Sequence, residues 1–314
     1  MCTNNVYQKN CIYNDLSSLG INLYSNWNIA KLPIDNSSIN DDENNSIIDN
    51  YNNPVSDDFN VVAHRGYSEI APENTIPAFI AAAENGFTSV ECDIEWTKDN
   101  VPVILHDSTI NRTARKKNGW IFFFKHKCSD YTFDELLEFD FGRWKGKEFK
   151  GTKIPSFTQL LDCCDEYNLN LYVEIKETDN FDKEKAQILA EEVRKAGLED
   201  KVTWISFNAD YLKMMSKIMP DSRLGYLSKE TPNEDTIEIL DELKTRRNEV
   251  FLDVKASKMT EKASDKLDDA GYDFEAWTVD NSDVLEQMYD YDCTGITTNS
   301  LTEDTVERII DLSD

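Results

Sequence analysis

Histidine is scarce in this chain, with three residues in 314. No apolar run approaches the roughly 18 residues needed to span a membrane as a helix, and the start lacks the basic patch and apolar core of a secretory signal. The seven cysteines show no paired C-x-x-C spacing, so a cysteine zinc cluster is not expected. Cys163 and Cys164 fall on an expected helix, where vicinal pairing would strain the backbone. The thiols are therefore expected to be mostly free and the protein to be cytoplasmic, in a reducing compartment. Cys2 and Cys11 leave room for a removed leader or a lipid-bearing start. Positive charge is short too, with 33 Lys and Arg against 60 Asp and Glu and a net charge of −27. Such a surface repels nucleic acid and anionic lipid, so polyanion binding by bulk charge is not expected. An anionic substrate would need a local cationic site inside a negative field.

Residues 1–58 stand apart, with 14 asparagines and eight acidic residues against two lysines. The tract 35–58 reads as a polar linker. Residues 11–32 carry enough apolar side chains, Ile12 to Trp27, to dock on something. This segment is expected to be either a strap on its own domain or a tether to a partner. From Asn60 onward, strand-like runs alternate with helical patterns, each strand followed by a helix. The strands are read at 61–64, 89–95, 169–176, 202–207, 223–228, 250–254, 274–279 and 295–298. Eight such units over residues 59–314 predict an α/β fold, a (β/α)8 TIM barrel.

Val101–His106 is an extra strand, separated from the second by only Lys98, Asp99 and Asn100. A parallel crossover needs about a dozen residues, so this must be an antiparallel hairpin arm. A turn centred between Asp99 and Asn100 places Asp93 opposite His106, with Glu91 on the same face by the period of two. His64 and Arg65 end the first strand and Glu174 and Lys176 the third barrel strand, so all would meet at the carboxyl mouth. Residues 108–153 form an insertion in which Arg112, Arg115, Lys116, Lys117, Lys125 and Lys127 flank the run Trp120 to Phe124. It reads either as a lid that contacts a substrate headgroup or as a capping insertion whose aromatics pack on the rim.

Two imidazoles next to paired carboxylates suit hydrolysis of a phosphate ester. The ordered motifs His64-Arg65-Gly66, Pro72-Glu73-Asn74-Thr75, Glu91-x-Asp93, His106-Asp107, Arg112-Thr113, Glu174-Ile175-Lys176, Trp277-Thr278-Val279 and Gly295-Ile296-Thr297-Thr298 resemble the glycerophosphodiester phosphodiesterase family. The resemblance runs from Val61 to about Ser300. It implies a metal-dependent barrel that releases glycerol 3-phosphate and an alcohol. It makes His64 and His106 the acid/base pair, Arg65 and Lys176 phosphate ligands, and Glu91, Asp93 and Glu174 the metal carboxylates. Trp277 would wall the glycerol pocket, with plain core packing as the alternative.

The chain departs from the family pattern at Asp280, where asparagine is common, and at Asn299, where aspartate is usual. An all-carboxylate donor set favours Mg²⁺ or Ca²⁺ over zinc. Asn74 is expected to cap a helix, and His126 to be a surface residue. The expected substrates are soluble glycerophosphodiesters. A lysophospholipase D-like activity and a non-catalytic binding module are the competing readings.

Overall fold

The computed structural model describes residues 59–177 and 181–311. The expected arm and linker at 1–58 lie outside the described residues. Eight parallel strands are β1 (Asn60–Ala63), β2 (Ser89–Trp96), β4 (Asn170–Ile175), β5 (Val202–Ser206), β6 (Arg223–Ser228), β7 (Glu249–Lys255), β8 (Phe274–Trp277) and β9 (Gly295–Thr298). Each pairs with its successor, and β1 pairs with both β2 and β9, which closes the barrel. The antiparallel β3 (Pro102–Ile104) pairs with β2 as an arm.

The covering helices are α1 (Ile76–Glu84), α3 (Phe157–Tyr167), α4 (Lys183–Ala196), α5 (Ala209–Ile218), α6 (Glu234–Leu243), α7 (Glu261–Ala270), α8 (Ser282–Asp290) and α9 (Glu303–Asp311), with a single turn, α2 (Phe133–Leu136), in the insertion. Their starts are set locally. Ser156, Asp182, Asn233, Thr260 and Asn281 each accept a backbone N–H of the first turn, a contribution of about 1 kcal/mol apiece.

The alternation within each strand sorts the core into two layers. Cys92, Ile94, Val173, Leu252 and Val254 face the helices in the main core. Val62, Tyr172, Ile205, Leu227 and Phe251 fill the barrel. Gly225 belongs to that inner layer for want of space, because a Cβ there would sit 2.5 Å from the Phe251 ring. The amino end of the barrel is closed by polar groups. Glu275 on β8 is fully buried and accepts from Arg223 at 3.0 Å, Tyr172 at 3.0 Å and Asn60 at 3.1 Å. The Arg223 guanidinium also stacks 4.0 Å from the centre of the Phe251 ring. The carboxyl end is left for the side chains that no helix covers.

The hairpin departs from the expected register by one residue. Ile94 opposes Ile104 and Trp96 opposes Pro102, which sets Asp93 against Leu105, whose N–H donates to the Asp93 carbonyl at 3.0 Å. The turn holds three residues rather than an even number. Asn100 supplies the extra one in the left-handed region, at φ 59, as a type I turn followed by a bulge requires. His106 thus lies beyond β3 and reaches the mouth through the chain's exit from the strand, not by facing Asp93 across the ladder. Beyond it, Val103, Leu105, Ile110, Phe122, Cys128, Leu136 and Phe141 form a separate small core for the insertion.

Candidate active site

Three strand ends and the arm supply most of the site. The chain leaves β1 through a left-handed turn, with Arg65 at φ 60 and Gly66 at φ 73. A side chain at Gly66 would strike Ala78 at 2.6 Å. This turn aims the Arg65 backbone N–H at Glu91 Oε2, 2.9 Å away, and carries its guanidinium to Asp93 at 3.3 Å and Glu73 at 2.8 Å. On β2 the period of two turns Glu91, Asp93 and Glu95 inward together. At the end of β4, Lys176 Nζ lies 2.7 Å from both Asp93 and Glu174. The structure therefore brings together His64, Arg65, Glu91, Asp93, His106, Glu174 and Lys176. Trp277, ending β8, lies on the far wall of the same cleft of about 440 Å³, with Asp253, Phe207 and Lys229.

The electrostatics follow from burial. Burial pushes the Glu91 carboxyl well above its ordinary value, and Asp93 and Glu174 add to the rise. Burial and then Asp93 push Glu174 up to about 7 against the pull of Lys176. Burial would raise Asp93 as well, but Lys176 and Arg65 outweigh it and hold that carboxyl well below the usual range. Burial and the adjacent Arg65 lower His64 to about 4. Burial also lowers His106, while Asp93 and its hydrogen bond to Asp107 oppose the change.

Glu91, Asp93 and Glu174 each offer an oxygen within 4.8 Å of the others. Asp93 Oδ1 is buried and is met by Lys176 Nζ at 2.7 Å. Three clustered, buried hard-oxygen donors fit a divalent cation. Such an ion would offset the mutual repulsion that raises two of the three carboxyls.

Each histidine is oriented from behind. His64 Nδ1 lies 2.8 Å from Asn299 Oδ1. The Asn299 amide cannot turn round, because its Nδ2 donates to Asp280 Oδ2 at 2.8 Å and its Oδ1 also accepts from Ser68 at 2.9 Å. Neutral His64 therefore carries its proton on Nδ1 and presents the Nε2 lone pair, which lies 4.0 Å from Glu91. His106 Nδ1 instead meets the Asp107 carboxylate at 2.7 Å. Asp107 is held by Arg112, which forks onto Glu73 at 2.6 and 2.9 Å, and Glu73 holds Arg65. From His106 the contacts thus lead to Asp107, and alternating charges run on through Arg112, Glu73 and Arg65 to Asp93.

Several of these residues carry more than their sequence suggests. Asn74 is not a helix cap; Thr75 occupies that position. Asn74 sits instead at φ 56, is almost fully buried, and donates to Asp93 Oδ2 at 2.6 Å. Nothing local signals this contact, although the Pro72-Glu73-Asn74-Thr75 motif marks the place. Asp280 and Asn299, which look like two separate departures from the family pattern, touch each other. Asp253 carries no motif signal, yet its buried carboxyl faces the cleft wall with Oδ1 unpartnered. Trp277 is only partly buried, donates to the Asp253 carbonyl at 3.1 Å and meets the Phe207 ring edge-on at 5.7 Å. His126 is no free surface residue, because it bonds Tyr131 and packs 4.6 Å from the Phe122 ring.

The site lies at the carboxyl mouth of a closed (β/α)8 barrel, where histidines, cations and clustered carboxylates gather. The chain belongs to the glycerophosphoryl diester phosphodiesterase family, which matches residues 64–303. A glycerophosphodiester phosphodiesterase of Caldanaerobacter subterraneus is 32% identical over 167 residues, 53% of this chain and 65% of that protein. The mouse glycerophosphodiester phosphodiesterase 1 is 36% identical over 37% of this chain and 33% of its own length. The chain thus spans less than two thirds of these curated relatives. An Oleispira antarctica phosphodiesterase, solved with the product sn-glycerol-3-phosphate, shares the fold with a TM-score of 0.71 at 24% identity, covering 80% of this chain and 96% of that one.

Proposed function

We propose that the protein hydrolyses glycerophosphodiesters to glycerol 3-phosphate and an alcohol. The observation that carries this reading is the meeting in one cleft of His64, His106, Arg65, Lys176 and the three carboxylates, drawn from three barrel strands and the arm. Family membership and the product bound in the Oleispira relative support the substrate class. His64, neutral with Nε2 free, accepts a proton from the nucleophile. His106, whose imidazolium Asp107 stabilises, gives one to the departing alkoxide as its bond to phosphorus breaks. Arg65 and Lys176 take up charge on the phosphoryl oxygens in the transition state. A divalent cation held by Glu91, Asp93 and Glu174, Mg²⁺ or Ca²⁺ by its oxygen donors, would neutralise the diester and polarise its phosphorus–oxygen bond. Trp277 walls the glycerol pocket, and the free Asp253 Oδ1 beside it is a ready acceptor for a glycerol hydroxyl.

The nucleophile is either water or the glycerol 2-hydroxyl, and phosphorus NMR separates the routes by the presence of a cyclic phosphate. The activity is tested on glycerophosphocholine and glycerophosphoethanolamine with Mg²⁺ and Ca²⁺ in parallel. Turnover by the parent chain and none by His64→Ala or His106→Ala is expected. Near-normal rates in either variant would overturn the assigned roles. The exposed aromatics of the insertion favour a second reading, a lysophospholipase D-like activity. A protein that cleaves a long-chain lysolipid but no short diester would establish it. The five described cysteines are buried free thiols, which supports a cytoplasmic, reducing setting. No helix among the described residues is long and apolar enough to cross a membrane.

A further inference from the structure

Among the described residues, the exposed large hydrophobics all lie in one five-residue run: Trp120 at 64%, Ile121 at 53%, Phe123 at 76% and Phe124 at 82% exposure. Phe122, the fifth, points the other way and is buried, with Phe139 edge-on at 5.1 Å. It pegs the run to the insertion core. The loop is braced from within as well. Lys116 N–H donates to the Trp120 carbonyl at 2.9 Å across a turn containing Gly119 at φ 87. The Asn111 side chain clips Phe124 O at 2.6 Å and the His126 N–H at 2.9 Å. Four apolar side chains are therefore displayed by a preorganised loop, and little ordering entropy stands against their burial.

The charge around them is as unusual as their exposure. From Ser108 to Ser129 there is no acidic residue, in a chain with 60 of them, while six lysines and arginines occur there. Lys116, Lys125 and Lys127 are exposed. Arg115 is turned inward onto backbone carbonyls, and Lys117 pairs with Glu138.

We propose that this loop docks the protein onto an anionic lipid surface, with Trp120, Ile121, Phe123 and Phe124 entering the headgroup region and Lys116, Lys125 and Lys127 meeting lipid phosphates. Aromatic and aliphatic side chains beside lysines suit the membrane interface, whereas protein–protein interfaces are depleted in lysine. The local patch overrides the repulsion expected from the net charge, because screening confines that repulsion to about 8 Å at physiological salt. The base of the loop adjoins the cleft: Cys128 N–H donates to the carbonyl of Ser108, a residue lining the cleft. If the proposed activity holds, docking brings the mouth to substrates carried in a lipid surface.

The test is cosedimentation of the full chain with phosphatidylcholine vesicles, with and without phosphatidylglycerol. Binding to the mixed vesicles that weakens as salt rises is expected. W120A/F123A/F124A should reduce the partition coefficient roughly tenfold or more, and K116E/K125E/K127E by roughly fivefold or more per lysine. Hydrolysis of soluble glycerophosphocholine should be unchanged in both variants, which shows that they fold. Failure of the parent chain to bind mixed vesicles overturns the proposal. So does binding that survives both variants, or loop-dependent self-association without vesicle binding. The vesicle readout does not require turnover, so it stands or falls apart from the catalytic assignment.

Discussion

Asp280 and Asn299 form a pair that can be exchanged. Asn299 donates to Asp280 twice, from its backbone at 2.7 Å and its amide at 2.8 Å, and presents Oδ1 to His64. In N299D the amide bond to a charged acceptor is lost, at a cost of about 1.5–3 kcal/mol. Two carboxylates also come into contact, costing about 1 kcal/mol at the water-like dielectric suited to exposed Asp280. The sum, about 3 kcal/mol, corresponds to roughly a hundredfold in kcat/KM if it is expressed through His64. D280N should cost only about 1 kcal/mol, since a neutral acceptor remains. The double exchange D280N/N299D restores the side-chain hydrogen bond with its polarity reversed and keeps the backbone N–H of residue 299 as a donor, so a coupling of about 2 kcal/mol is expected in urea unfolding of the four proteins.

The exchange also gives His64 a charged partner in place of a neutral one. An adjacent opposite charge raises an imidazole by about 1–3 units, starting from about 4. A base works when it is deprotonated, so the acid limb of the kcat/KM profile should move at least about one unit toward alkaline pH. A double variant no better than N299D would refute the coupling. An unmoved acid limb would refute His64 as the controlling base.

Other outcomes follow from the same geometry. EDTA should abolish turnover, with rescue by Mg²⁺ or Ca²⁺, and E174Q should raise the metal concentration needed for half-maximal rescue. Glu73→Gln weakens the bridge between Arg65 and Arg112 and should lower kcat/KM about tenfold while the thermal midpoint changes little. Arg223→Ala leaves Glu275 buried without its cation, at about 3–5 kcal/mol, and calorimetry should show a midpoint lower by roughly 10 °C. Burial raises Glu95 to about 7 from an ordinary 4.5, so the folded state holds that proton more tightly. Stability of the metal-free protein should then fall by up to about 3 kcal/mol as pH rises from about 4.5 through 7. E95Q should flatten that slope in denaturant titrations.

The barrel was legible because its strands and helices differ in hydrophobic period, and a period survives without knowledge of any long-range contact. The same logic located Glu91, Asp93, Glu174 and Lys176, since positions two apart at a strand end share a face. It failed at the hairpin because one left-handed asparagine shifts the register, and backbone handedness at a single residue leaves no periodic trace. The orienting groups were less visible for another reason. Glu73 meets Arg112 across 39 positions and His64 meets Asn299 across 235, and no local pattern encodes such pairings. Asp253 alternates with buried leucine and valine as a core residue would, so only the cleft distinguishes it.

The line of alternating charges from Asp107 to Asp93 also bears on how such a site can drift over generations. Removing Arg65 leaves the fully buried Asp93 with one cation fewer, at about 3–5 kcal/mol, a large part of the roughly 5–15 kcal/mol that keeps a fold populated, whereas the half-exposed Asp107 and Arg112 end is worth far less. Single steps at the buried end are therefore mostly closed to selection. Reciprocal changes that keep the sum of charges remain open, and an exchange of aspartate and asparagine between 280 and 299 is of that form.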